Sequence, residues 1–352
     1  EWKKAFALLT DMWRSALQPD AIIYSAVISA CGQGGQWQRA LACLGEMGRR
    51  ALEADVIAFS SVISACEKEQ QWQWSLCILA AMDGARCAPN VISFNAAISA
   101  CGRSGLWPHA LRLLAELRRR SLRGTLITYN AVLTAFEKGN QWPLALEFFS
   151  DLRPMRFQPD AVTYAAAISA CEKGHQWQRA LLLLEDMEGR GVAPSVVTCS
   201  AAMSACEKGQ QWQRAWNLLR EMRSRKMQPD LVCYNAALSA CERAAQWQLA
   251  LGLLAEARAG HLSPDVVTYG AAVSTCEKSQ EWRRALALLR QLRAEALEPN
   301  AVVCSAAIGA CARGRGRPQA LGLLLEMRRA ALEPGATGCA AAFGAVEACD
   351  QR

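Results

Sequence analysis

Histidine is almost missing from this chain: His109, His175 and His261 are the only three in 352 residues. No Cys-x-x-Cys pair occurs, so the ligand spacings of a zinc site are absent. There is no carboxylate cluster for metal-assisted chemistry, no His-x-Glu with paired cysteines, and no triad spacing around a nucleophile. These absences exclude the common hydrolase and deaminase classes. The chain is expected not to be an enzyme, with no metal, no cofactor and no small-molecule substrate, and any chemistry would lie outside 1–352. No apolar run approaches the roughly 20 residues that cross a membrane, and no signal or transit peptide is visible. Membrane contact is not expected. Strand-like alternation is also lacking, which argues against a sheet.

Cysteine, by contrast, is plentiful, with 16 residues. Eight of them, Cys31, Cys66, Cys101, Cys171, Cys206, Cys241, Cys276 and Cys311, recur at one place in a repeating unit. They read as small, reduced core residues rather than as a disulfide framework.

The repeat is set out by tryptophan. Trp2, Trp37, Trp72, Trp107, Trp142, Trp177, Trp212, Trp247 and Trp282 stand 35 residues apart without an insertion or deletion. A fixed period of this size marks a solenoid. Numbering each unit 1 to 35 gives nine full copies: 21–55, 56–90, 91–125, 126–160, 161–195, 196–230, 231–265, 266–300 and 301–335. Residues 1–20 match the second half of a unit and 336–352 the first half, so both ends are expected to be cuts through a longer array. The chain carries a net charge of +7, which suits an anionic partner.

Each unit holds two helical patterns. In the first, positions 4, 7, 8 and 11 are apolar, as in Tyr129, Val132, Leu133 and Phe136. That is the i, i+3, i+4, i+7 stripe of an amphipathic helix. Glycine at position 14 or 15 (Gly34, Gly35, Gly105, Gly139, Gly174, Gly209) is expected to mark the helix stop. The second pattern opens at the Trp and carries Ala at position 20 and Leu at 21 and 24. The Trp ladder is therefore expected to pack, not to stack on a ligand. Pro at position 34 ends the unit, because it cannot continue a helix. The fold class expected is all-α, a right-handed superhelical α-solenoid of stacked helix-turn-helix repeats.

The 35-residue period, the run from Thr128-Tyr129-Asn130-Ala131 and the closing Pro159-Asp160 resemble the pentatricopeptide repeat (PPR) family in its plain 35-residue form. The resemblance spans nearly the whole chain. It implies a single-stranded RNA binder in a chloroplast or mitochondrion, reading about one base per repeat, with other RNA-processing proteins as further partners. It implies a role in RNA processing, stability, editing or translation. A protein-binding scaffold and the guiding array of a larger RNA-processing enzyme, of the protein-only ribonuclease P or editing type, are the competing readings. Small polar residues at position 5 argue against the scaffold.

Three columns carry that expectation. Position 2 is aliphatic in every copy: Ile22, Ile57, Ile92, Ile127, Val162, Val197, Val232, Val267 and Val302. At about 100° per residue it lies away from the core stripe, and in the family this residue wedges against a base. Position 13 is Lys68, Arg103, Lys138, Lys173, Lys208, Arg243, Lys278 and Arg313, a column that would track a phosphate backbone. Positions 5 and 35, which read the base in the family, vary while their neighbours repeat: Ser25/Asp55, Ser60/Asn90, Asn95/Thr125, Asn130/Asp160, Ala165/Ser195, Ser200/Asp230, Asn235/Asp265, Gly270/Asn300 and Ser305/Gly335. Ionised Asp only accepts hydrogen bonds and suits the ring N–H of G or U, whereas Asn also donates and suits A or C. A small residue at position 5 leaves room for a purine. In order, the pairs suggest 5′-GAYUNGUNR-3′, with Ala165/Ser195 unreadable.

Overall fold

The computed structural model describes residues 2–15, 17–85, 87–314 and 316–329. The final half-unit, 336–352, and the end of the 301–335 copy, Gly335 included, lie outside them. Among the described residues there are nineteen helices and no strand. Both helices of a unit are 13 residues long, Leu231–Arg243 followed by Trp247–Ala259 for example. Helices this short are marginal alone, so tertiary packing must stabilise them. One second helix is cut short. It runs Trp142–Asp151, because Pro154 cannot sit in the turn that would extend it.

The chain forms two compact units, Glu1–Gly174 and His175–Arg352. In the first, helices Ala21–Gln33, Val56–Lys68, Val91–Arg103, Leu126–Lys138 and Ala161–Lys173 pack side by side as one layer. The second helices, such as Trp37–Arg49 and Trp72–Gly84, bridge neighbouring members of that layer from one side. In the second unit, helices Val196–Lys208, Leu231–Arg243, Val266–Lys278 and Ala301–Arg313 make the layer, bridged in the same way. A helix flanked by two like neighbours and a bridging pair needs apolar residues on more than one stripe. Accordingly Tyr164, Ala167, Ile168 and Cys171, the expected stripe, are buried, and so are Ala166 and Ala170 beside it. Small residues there let the first helices approach closely. The position-11 cysteines are all buried, and none is in a disulfide.

The glycines divide into two roles. The left-handed turn after the first helix falls at position 15, where Gly35 and Gly105 have φ +70° but Gln70, Asn140 and Gln210 adopt 57°, 55° and 59°. At position 14 the backbone is ordinary: φ is −81° at Gly139 and −82° at Gly174. Where glycine stands there, the Trp of the preceding copy packs against it, whereas Glu69, Ser104, Ala244 and Ser279 fill the position in other copies. A Cβ on Gly34, Gly139, Gly174 or Gly209 would fall between 2.2 and 2.7 Å from a ring atom of Trp2, Trp107, Trp142 or Trp177. These Trp residues are thus half-buried packing wedges between successive copies.

Candidate nucleic-acid interface

Position 35 opens the next helix. Its backbone is extended (φ −86°, ψ 176° at Asp230), and its side chain caps the helix by accepting the N–H of the third helical residue. Asp55 Oδ1 accepts from Ala58 at 2.7 Å, Asn90 Oδ1 from Ser93 at 2.9 Å, and Asp160 Oδ1 from Thr163 at 2.9 Å. Asp230 Oδ1 accepts from Cys233 at 2.9 Å, Asp265 Oδ1 from Thr268 at 2.8 Å, and Asn300 Oδ1 from Val303 at 2.9 Å. The cap consumes one oxygen, so the other end of each side chain is left over: Oδ2 for Asp, Nδ2 for Asn. That fixes which way the Asn amide faces. Asp/Asn variation at this position therefore exchanges an acceptor for a donor at one place in space. Thr125 opens its helix with a reciprocal capping box to Thr128, which supplies the cap where Pro-Asp is missing.

Position 5 lies beside it, although thirty residues separate the two in sequence. Ser25 Oγ is 3.3 Å from Asp55 Oδ1, Asn95 Nδ2 is 3.3 Å from Thr125 Oγ1, and Asn130 Nδ2 is 3.2 Å from Asp160 Oδ1. Ser60 and Asn130 are buried, so position 5, unlike position 2, is not displayed on an exposed face. They form the floor of a cleft. Ser200 instead donates to its own helix, at Val197 O. Ser305 is half-buried. For Asp160 and Asp265, burial pushes the carboxyl pKa up. The hydrogen bonds outweigh it, from Thr163 and Asn130 in one case and from Thr268 and Asn235 in the other, and they hold both groups below the usual carboxylate value. Both stay ionised acceptors at neutral pH.

The aliphatic column forms the walls. Ile22, Ile57, Ile92, Ile127, Val162, Val197, Val232, Val267 and Val302 are 57–77% exposed. A solvent-facing Ile or Val in every copy is not a packing requirement. One cleft of about 330 Å³ opens between Ile57 and Ile92, over Ser60 and Asn90, with Lys68 at its edge. Another of about 320 Å³ opens between Ile127 and Val162, over Asn130 and Asp160, with Arg103 at its edge. Two apolar walls and a floor with one donor and one acceptor make a slot for a flat heterocycle bearing a hydrogen-bonding edge.

The cations of position 13 have intramolecular partners. Arg103 pairs with Glu67 at 3.3 Å, Lys173 with Glu137 at 3.0 Å, Arg243 with Glu207 at 3.5 Å, Lys278 with Glu242 at 2.9 Å and Arg313 with Glu277 at 3.3 Å. Each carboxylate stands at position 12 of the preceding copy. Lys68 instead donates to the carbonyls of Gly32 and Gln33, at the end of the previous first helix. Lys138 lies 3.8 Å from Glu137, and Lys208 also has a partner. Burial pushes the Glu67 and Glu277 carboxyls up against the pull of Arg103 and Arg313.

Sequence reasoning did not single out position 3. Thr128, Thr163 and Thr268 are fully buried, and each hydroxyl meets an Asn at position 5 of the copy before. The capping-box spacing, with Thr or Ser three residues after the cap, was the available signal. Among the described residues no group of His, Cys, Asp and Glu is placed to hold a metal ion.

Family models match along this chain: "Pentatricopeptide repeat domain" at 7–69, 42–104 and 112–174, "PPR repeat" at 92–122, and "PPR repeat family" at 159–208 and 194–243. No curated protein matches by sequence. Among solved structures, the maize pentatricopeptide repeat protein PPR10 aligns over 99% of this chain at 21% identity, with a TM-score of 0.64. The same protein in complex with an 18-nt psaJ RNA element aligns with a TM-score of 0.69, also at 21% identity and over 99% of this chain. The alignments cover 54% and 55% of those chains, so this chain spans about half the length of the structures it matches.

Proposed function

This chain belongs to the pentatricopeptide repeat family, and from that premise we propose that its array binds single-stranded RNA, placing one base in each inter-copy slot. The observation that carries the reading is the pair of slots at Ile57/Ile92 and Ile127/Val162. Each combines two exposed aliphatic walls with a position 5 and position 35 floor. A duplex hides its base edges, so the slots select splayed, unpaired bases. The RNA complex of PPR10, which shares the fold, supports the same reading.

The target class follows from the floors, in the family's parallel orientation: 5′-GAYUNGUNR-3′. Asp230 and Asp265 present acceptors to the ring N–H of G and U, and Asn90 presents a donor to A. Occupying such a segment acts sterically, by shielding it from nucleases or exposing a neighbour, in organellar RNA processing, stability, editing or translation.

The experiment is selection from a random RNA pool, followed by binding of the enriched sequence as single strand and as duplex. Enrichment of GAYUNGUNR-like single strands is the expected result. Equal binding of duplex, or no enriched motif together with capture of a protein partner, would overturn the reading in favour of a scaffold.

A further inference from the structure

We propose that, where position 5 is Asn, the residue at position 3 of the following copy is a third member of the reading group. It would be a positioning residue whose hydroxyl locks the amide of an Asn at position 5. The inference rests on the RNA-binding reading above and extends it to residues outside the base-reading pairs.

Three contacts share one geometry. The Thr163 hydroxyl lies 2.7 Å from Asn130 Oδ1, that of Thr268 2.7 Å from Asn235 Oδ1, and that of Thr128 2.5 Å from Asn95 Oδ1. Each pair is 33 residues apart. The chain's own repeats show the same association. All three Asn residues at position 5 are followed by Thr at position 3 of the next copy. Where position 5 is Ser25, Ser60, Ala165, Ser200 or Gly270, the corresponding residues are Ala58, Ser93, Thr198, Cys233 and Val303, only one of them Thr.

The chemistry explains the coupling. An Asn side chain rotates between two nearly equivalent amide orientations, and only its hydrogen bonds choose between them. Thr163 also lies 2.8 Å from Asp160 Oδ1, so its one proton is shared between that oxygen and Asn130 Oδ1. With Oδ1 held by the hydroxyl, Nδ2 faces the Asp160 carboxylate at 3.2 Å. The reverse orientation would set two oxygens against each other there. One N–H of Nδ2 meets the carboxylate and the second remains for a base. The slot floor thus offers a donor from Asn130 next to an acceptor from Asp160, which complements a carbonyl next to a ring N–H, as in uracil. Cytosine presents the opposite order. If the hydroxyl is removed, the amide keeps only its contact with Asp160 and presents its oxygen to the slot more often.

The test uses the full chain and four RNAs differing only at the fourth base of the target, which the 126–160 copy faces. Wild type is expected to favour U over C. Thr163→Val should lower that ratio by about two- to tenfold, the range for one hydrogen bond, and leave the other bases unaffected. Thr163→Ser should restore it. Thr198→Val removes a comparable cap hydroxyl, since Ser195 N–H donates to Thr198 Oγ1 at 2.9 Å, but it follows Ala165, which has no amide to orient. That variant should melt about as Thr163→Val does and keep the wild-type ratio at the fourth base. A discriminating wild type with an unchanged ratio in Thr163→Val overturns this inference alone. Equal loss in Thr198→Val also overturns it, because the effect would then be general loosening. A wild type that does not distinguish the four RNAs removes base reading by Asn130 and Asp160, and this inference falls with it.

Discussion

Lys173 Nζ lies 3.0 Å from the Glu137 carboxylate, and it also donates to the Glu137 carbonyl, so one ammonium group joins two successive first helices. Lys138 is 3.8 Å from the same carboxylate. A column of like charge is therefore stitched by acidic partners one copy away. Phosphates reaching it must compete with those partners.

Glu137→Gln is expected to take the carboxylate partner from both lysines, leaving Lys173 only its bond to the residue-137 carbonyl. Affinity for target RNA should rise, and the plot of log affinity against log salt should steepen by about 0.7 for each phosphate newly neutralised. Stability should change by about 1 kcal/mol or less, as for other partly exposed pairs. Binding titrations at four salt concentrations check it. An unchanged slope would show that these cations serve the helix junction alone.

Asp230→Asn is expected to move the preference of the sixth target base from G toward A. The cap survives, since Asn Oδ1 can still accept the Cys233 N–H now held by Asp230 at 2.9 Å, and Nδ2 then stands where Oδ2 was. The expected discrimination is at the low end of the roughly 1–3 kcal/mol typical of a good base contact. Asp230→Ala should instead lose the cap, costing about 0.5–2 kcal/mol of stability. Four RNAs varied at that base, with a denaturation curve for each variant, separate the two effects. Identical ranking of the RNAs by wild type and Asp230→Asn would show the register to be wrong.

Gly174→Ala is expected to destabilise by about 1–3 kcal/mol, because its Cβ would lie 2.3 Å from Trp142 Cγ. The backbone there is ordinary, so the cost comes from overpacking, not from φ. Gly189→Ala meets open space and should be neutral, or stabilising by up to about 1 kcal/mol. Urea melts of the pair check the contrast. A harmless Gly174→Ala would mean the Trp wedge yields freely.

Burial pushes the thiols of Cys66, Cys101, Cys206, Cys241, Cys276 and Cys311 up to about 11. An unfolded thiol titrates near 9.0. The raised pKa means the folded chain keeps its protons where the unfolded chain loses them. Stability is therefore full below pH 9 and falls as pH rises through 9 to 11. Urea midpoints measured across that range should drop. Site-resolved alkylation of the native chain at pH 8 should label exposed Cys77, and half-buried Cys87 more slowly, well before any of those six. Rapid labelling of Cys206 would contradict its place in the core.

Much of this is legible in the sequence. A 35-residue ladder of Trp, a stripe at positions 4, 7, 8 and 11, and Pro at position 34 are local periodic signals, and period alone dictates helix, turn and stacking. The varying pairs at positions 5 and 35 and the unvarying aliphatic at position 2 could likewise be picked out by comparing copies within the one chain. Other features are relations between copies. The capping bonds of Asp230 and Asn90 decide which atom of each side chain is left for a base. The Thr163 hydroxyl chooses the orientation of Asn130, and Glu137 takes up the charge of Lys173. Trp142 occupies the space that a Cβ on Gly174 would take. Each depends on atoms some 30 residues apart being brought within hydrogen-bond or van der Waals distance. Sequence by itself determined the repeat, its helices and the residues that vary. Only the tertiary structure decided how those residues face one another, because an amide flip, an ion pair or a Cβ clash is set by a few ångströms that no spacing along the chain records.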